Sequence, residues 1–221
     1  MKHAILFDLD GTLVDSAPDL ARALNFVCEA HGKPKVTVDE ARQRVSDGAR
    51  ALIHLAFPEV TEAESLQALR EELLDHYWAG VCIDTILFPQ MDDIISLCES
   101  RNQPWGIVSN KPEDLCQAVV QGLDLHTRAR CIIGGDSFEF AKPHPMPLLE
   151  AAQQCATHPE NCLYVGDHKR DIEAGKAAGM HTVAVGFGYH HADDSPHNWN
   201  ADVVCDTTTD LLEFIKQWPS I

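Results

Sequence analysis

The chain has 221 residues, 45% of them hydrophobic and 23% charged, which suits a globular protein with one domain and room for a large insertion. No apolar stretch approaches the roughly 20 residues of a membrane span, and no basic-then-apolar leader precedes the first apolar run, so a cytoplasmic protein with no membrane partner is expected. A formal charge of −17 argues against nucleic acid, which is bound through clustered Lys and Arg, and means that an anionic ligand has to be met by a local positive site.

In chain order, short Val- and Ile-rich runs alternate with helical patterns. The runs predict strands over His3–Phe7, Pro104–Ser109, Cys131–Gly134, Leu163–Val165, Thr182–Val185 and Asp202–Cys205. Helices are expected over Met91–Arg101, Pro112–Gly122, Pro145–Cys155, Asp171–Ala178 and Thr208–Gln217. This alternation predicts an α/β fold, a Rossmann-like doubly wound parallel sheet covered on both faces. The segment from about Ala17 to Ile86 breaks the pattern. It shows no convincing strand but four helical stretches, Ala17–His31, Val38–Val45, Gly48–Ala56 and Thr61–Val81, with a capping-box signal at Thr61 and Glu64. The expected organisation is therefore a core of residues 1–16 and 87–221 and a helical cap of residues 17–86, lying over the strand ends. Gly186–Asn200 is a long polar loop, and such loops are often functional. Within it, His190-His191 beside Asp193-Asp194 reads as a solvated loop, although the same side chains could hold a transition metal. The eight cysteines form no C-x-x-C and read as buried free thiols in a reducing compartment.

Four segments carry chemistry. Asp8-Leu9-Asp10-Gly11-Thr12-Leu13 ends the first strand with two carboxylates, costly unless a cation meets them. Ligands of open α/β sheets bind at such strand ends, so the pattern suggests a metal-assisted site with one carboxylate as nucleophile and the other moving protons. Ser109-Asn110 ends a second strand ahead of Lys111-Pro112, where a hydroxyl and backbone N–H groups would face a ligand. Lys142 stands in Ala141-Lys142-Pro143-His144-Pro145, suited to holding one ammonium over a phosphoryl group. Gly166-Asp167-His168-Lys169-Arg170-Asp171 ends a third strand with an acid and adds another four residues on, a spacing that lets both face one Mg²⁺.

These segments, in this order and spanning almost the whole chain, resemble the haloacid dehalogenase superfamily of aspartate-nucleophile phosphatases. The first matches its D-x-D-G-T-[LV] motif, and Ser109, Lys142 and Asp167 with Asp171 match its hydroxyl, lysine and acidic motifs. The resemblance implies that Asp8 is the nucleophile forming an aspartyl-phosphate and that Asp10 is the general acid and then base. Ser109 and Lys142, with Asn110 beside them, would bind the phosphoryl group. Mg²⁺ would sit between Asp8, the backbone carbonyl of Asp10 and Asp167, with Asp171 in support. His168 stands where many relatives have Ser, Thr or Asn, and reads as a supporting or surface residue rather than a ligand.

The helical insertion resembles the cap of the phosphoglycolate phosphatase-like branch, which closes on a small phosphorylated metabolite. Some members of that group act on N-acetylmuramic acid 6-phosphate in cell-wall recycling, and the sequence does not separate the two substrates. Within the cap, Ser46-Asp47-Gly48-Ala49-Arg50 stands at a helix start, where the glycine permits close backbone approach. Arg50 either forks onto a substrate carboxylate or is a solvated helix residue; Arg22 is a weaker candidate. A sugar-phosphate mutase on the same fold is the alternative of another class. A monomer or homodimer is expected.

Overall fold

The computed structural model describes residues 3–191 and 193–218; the ends of the expected core span, residues 1–2 and 219–221, lie outside it. Six parallel strands form the main sheet in the order β5-β4-β1-β6-β7-β8, where β1 is Ala4–Phe7, β4 Trp105–Val108, β5 Ile132–Ile133, β6 Cys162–Gly166, β7 His181–Val185 and β8 Val203–Cys205. The chain runs outward from β1 to β4 and β5, then returns to lay β6, β7 and β8 on the other side. The carboxyl end of β1 is thus the topological switch point, where open α/β sheets bind their ligands.

Alternation along the strands explains the layers. In β1, Ile5 and Phe7 face a core shared with helices α5 (Met91–Ser100), α6 (Glu113–Gly122) and α9 (Thr208–Gln217). Ala4 and Leu6 face a second core under α7 (Met146–Gln154) and α8 (Lys169–Ala177). Both faces of the sheet are therefore apolar, as a doubly covered parallel sheet requires.

The helices α1 (Ala17–Ala30), α2 (Val38–Val45), α3 (Ala49–Ala56) and α4 (Ala63–Ala79) form a separate subdomain inserted after β1, around their own core of Leu24, Val27, Leu52, Ile53, Leu73 and Tyr77. The chain crosses between sheet and insertion twice, and the crossings pair as a short antiparallel ribbon of β2 (Val14–Asp15) and β3 (Ile86–Leu87). Two-residue strands carry too little alternation to be read from sequence, so this ribbon was not expected. Asp19, fully buried on α1, anchors the second crossing: its carboxylate accepts from the N–H groups of Ile83, Asp84 and Thr85 and from the Thr85 hydroxyl.

Three further expectations are corrected. The Thr61–Glu64 capping box does not form, and α4 starts at Ala63 behind Glu62 with no side-chain cap. The box in the insertion is instead Thr37 with Glu40, at the start of α2. Helix α8 starts at Lys169, before Asp171, because the His168 ring accepts from the Arg170 N–H while Asp171 accepts from the His168 N–H. Of the cysteines, all free, Cys82 is only partly buried.

Candidate active site

Asp8 follows β1 directly, with its N–H on the Val165 carbonyl at 2.9 Å, so strand pairing fixes its position. Its carboxylate is 3.0 Å from the Lys142 ammonium, which is also 2.7 Å from Asp171. Lys142 reaches them through a buried cradle, donating to the Val108 carbonyl and the Tyr164 hydroxyl at 2.9 and 2.7 Å. Asn110 lines the same cavity as Asp8, and its side chain brackets the lysine: it donates to the Lys142 carbonyl and accepts from the Lys142 N–H. Ser109 lines that cavity too, and its hydroxyl accepts from the Lys111 N–H.

Carboxylate oxygens of Asp8, Asp167 and Asp171 lie within 4.8 Å of one another, the one cluster of metal-ligand type among the described residues. Asp167 accepts from Thr12, from the Tyr189 N–H and, at 2.9 Å, from the hydroxyl of Ser46 in the insertion. Gly11 must be glycine here. It has φ +84°, and a Cβ would stand 2.1 Å from an Asp167 oxygen. Burial, then the charges of Asp8 and Asp171, push the Asp167 carboxyl well above its ordinary range. Burial likewise raises Asp8, against the pull of Lys142. Burial opposes the charge of Lys142, but Asp171 and Asp8 outweigh it and hold the ammonium protonated. Lys142 pairs with Asp8 and Asp171 but not with Asp167, and three buried acids crowded beside one ammonium are the environment a divalent cation with oxygen ligands fits.

The Asp10 carboxylate does not join that cluster, so only its backbone carbonyl is left for the expected metal role. The side chain turns to Lys111, 3.0 and 3.1 Å from its two oxygens, and accepts from Ser16 at 2.5 Å. The sequence marked the turn that holds Lys111 but not this role, because nothing in the spacing says where the lysine points. Lys111 also lies 4.4 Å from the ring centroid of Tyr77 on α4. Burial pushes the Tyr77 hydroxyl up to about 12.

The cap residues divide. Arg50 lines the cavity, exposed and with no side-chain partner among the described residues. Gly48 has φ +88° and no neighbour within 4 Å, so a backbone angle rather than close packing requires the glycine. Arg22 is excluded, since it is spent on Asp19, Asp84 and the Gly80 carbonyl beside the second crossing. Among the described residues, His190 and His191 belong to no metal-ligand cluster: His191 is 2.7 Å from Asp47, and His190 bonds the Gly186 carbonyl. His168 is the helix cap already described, 3.5 Å from Asp47. Sequence reasoning missed Arg70 and Arg170, which line the cavity, and Tyr189, whose hydroxyl donates to Asp15 and accepts from the Ala17 N–H.

A doubly wound α/β sheet, a helical insertion after its first strand and a buried aspartate–lysine cluster at the switch point define the class of a capped hydrolase. The chain belongs to the haloacid dehalogenase-like hydrolase family, whose model matches residues 5–185. It is similar to a phosphoglycolate phosphatase of Xanthomonas campestris pv. campestris (strain 8004), 41% identical over 217 residues, 98% of this chain and 97% of that protein. It is also similar to an N-acetylmuramic acid 6-phosphate phosphatase of Pseudomonas putida, 39% identical over 213 residues and covering 96% of each. The crystal structure of a predicted phosphoglycolate phosphatase of Haemophilus somnus 129PT shares the fold, with a TM-score of 0.85 at 24% identity over 96% of this chain and 97% of that one.

Proposed function

We propose that the protein is a Mg²⁺-dependent phosphomonoesterase acting on a small, carboxylate-bearing phosphorylated metabolite through an aspartyl-phosphate on Asp8. The observation that carries this reading is the position of the Asp8 carboxylate. It lines a cavity of about 290 Å³, 3.0 Å from the Lys142 ammonium, with Asp10 and Ser109 lining the same space. Both near relatives are named as phosphatases, of phosphoglycolate and of N-acetylmuramic acid 6-phosphate.

In this reading Asp8 attacks phosphorus in line with the departing oxygen. Asp10, oriented by Lys111 and Ser16, gives that oxygen its proton, then takes one from the water that opens the acyl phosphate. Ser109 and Lys142 hold the phosphoryl oxygens, and Asn110 holds Lys142. Asp8, Asp167, Asp171 and the Asp10 carbonyl would hold a divalent ion, which would supply further positive charge there. The boundaries that suit this chemistry are a core of 1–16 and 87–221 and a cap of 17–86, with β2 and β3 as the joint. Ser46 on Asp167 ties the cap to the acid cluster.

Phosphoglycolate is the simplest substrate with the required groups. The larger N-acetylmuramic acid 6-phosphate is favoured by one observation: Leu20, Val45, Leu52, Leu74 and Leu115 give the cavity an apolar wall that glycolate has no carbon surface to cover. The test is phosphate release with Mg²⁺ from a panel of phosphorylated metabolites containing both. Steady release of inorganic phosphate supports the reading; isomerised phosphate esters without release would establish a sugar-phosphate mutase instead.

A further inference from the structure

Each acid lining the cavity already has a partner: Asp8 has the Lys142 ammonium, Asp10 has the Lys111 ammonium, and Asp47 has the His191 ring, at 3.0, 3.0 and 2.7 Å. Three guanidiniums around the same cavity have nothing. Arg50 on α3, Arg70 on α4 and Arg170 on α8 make no side-chain hydrogen bond or ion pair among the described residues. Chance does not favour this. Asp and Glu outnumber Lys and Arg by 34 to 17, and the other six of the nine arginines grip carboxylates or backbone carbonyls. Arg128, for example, holds Asp92 and Glu99, and Arg101 holds the Ile215 and Trp218 carbonyls. Arg70 and Arg170 are also partly buried, where an unpaired charge costs more than in open water. Gathering like charges around one cavity adds repulsion. An anion in the cavity removes both costs.

We infer that Arg70 and Arg170, with Arg50, form a second anion subsite that receives a carboxylate on the leaving group. The inference rests on the phosphomonoesterase reading and adds to it the residues that select the substrate and the side of the cleft from which they act. Arg170 belongs to the sheet domain, two residues past the His168 cap, whereas Arg50 and Arg70 belong to the helical insertion. An acidic leaving group is therefore held from both bodies at once and ties them together. A neutral leaving group leaves three like charges around one cavity without a counter-ion. Selectivity then follows charge first and size second. The planar fork of each arginine suits a carboxylate's two oxygens, which a lysine's point charge does not.

The test uses two matched pairs of esters: N-acetylmuramic acid 6-phosphate against N-acetylglucosamine 6-phosphate, the same ring without the lactyl acid, and 2-phosphoglycolate against ethyl phosphate. The full chain with Mg²⁺ should prefer the acidic member of at least one pair by about tenfold or more in kcat/KM. Arg70→Gln and Arg170→Gln should each cut kcat/KM for that acidic member by about tenfold to a hundredfold, the range of a lost charge-assisted hydrogen bond. The acid-to-neutral ratio should fall with it, and Arg170→Lys should recover little. Melting temperatures close to that of the parent protein keep the comparison to folded variants. Equal proportional losses on both members would overturn the inference and place the arginines on the transferring phosphoryl group or on cap closure. Undiminished activity on the acid would overturn it as well. Phosphate release from all esters without preference for acids would overturn the subsite and leave the phosphomonoesterase reading standing; no release from any ester would remove both.

Discussion

The ammonium of Lys111 stands 3.0 and 3.1 Å from the two carboxylate oxygens of Asp10, and the Tyr77 ring covers it from the helical insertion at 4.4 Å. Sheet and insertion thus meet at a nearly buried ion pair, its acid two residues along the chain from Asp8. Breaking such a pair on one side leaves a buried charge without its partner and costs about 3 kcal/mol. Lys111→Met should accordingly lower the melting temperature by about 6–12 °C in a chain of this length. The double variant Lys111→Met, Asp10→Asn should recover much of it, since the orphaned charge is gone. A calorimetric double-mutant cycle with no coupling would show that the pair carries no stability.

Asp10→Asn should slow turnover about a hundredfold to ten-thousandfold, the usual worth of a positioned proton carrier. The loss should be smallest for p-nitrophenyl phosphate, whose leaving group needs little protonation. Steady-state rates over a series of leaving groups check this, and equal losses throughout would contradict the proton-transfer role.

Asp8→Asn should abolish turnover, because an amide is a poor nucleophile. The fold should survive, since one charge leaves a crowded acidic cluster. Turnover within about tenfold of the parent protein would remove Asp8 from the nucleophile's place.

Metal dependence should show in stability as well as in rate. Burial holds Asp167 well above the ordinary carboxylate range in the metal-free fold. A carboxyl raised on folding keeps its proton where the unfolded chain has lost its own, so stability falls as pH rises from about 4 toward the folded value. The metal-free protein should therefore melt lower at pH 7 than at pH 5. Mg²⁺ should raise the melting temperature more at pH 7, where protons compete less with it for the carboxylates. EDTA should abolish phosphate release and Mg²⁺ restore it, with Ca²⁺ a poor substitute because its larger shell relaxes octahedral geometry. A Mg²⁺ effect on melting that ignores pH would contradict the coupling.

Asp19 behaves in the opposite sense. Burial opposes its charge, but the Thr85 hydroxyl, the Asp84 N–H and Arg22 outweigh burial and hold its carboxyl below the ordinary value. Its contribution is complete above the unfolded value of about 3.9 and is lost as pH falls through the lower folded one. Asp19→Asn should be destabilised at pH 7, and the gap to the parent protein should close in melts taken below about pH 4. Because Asp19 grips residues 83–85, limited proteolysis of Asp19→Asn at pH 7 should cut that crossing first.

The layered sheet, the helical insertion and the acids and lysine at the strand ends were all legible in local pattern. Strand alternation and helical period are local patterns, and Asp8, Asp10, Ser109, Lys142, Asp167 and Asp171 each stand at a strand end or in a loop whose place follows from the topology. Tertiary structure alone decided what depends on direction. Lys111 turns to Asp10, the Asn110 side chain turns to Lys142, and Arg22 is bound at the crossing. Arg70 and Arg170, far apart in the chain, come to one cavity with Arg50. A long side chain reaches its partner across several ångströms from a freely rotating stem, so its contact is set by what the other elements bring near it. Spacing along the chain fixes where a backbone stands but carries no record of that neighbour.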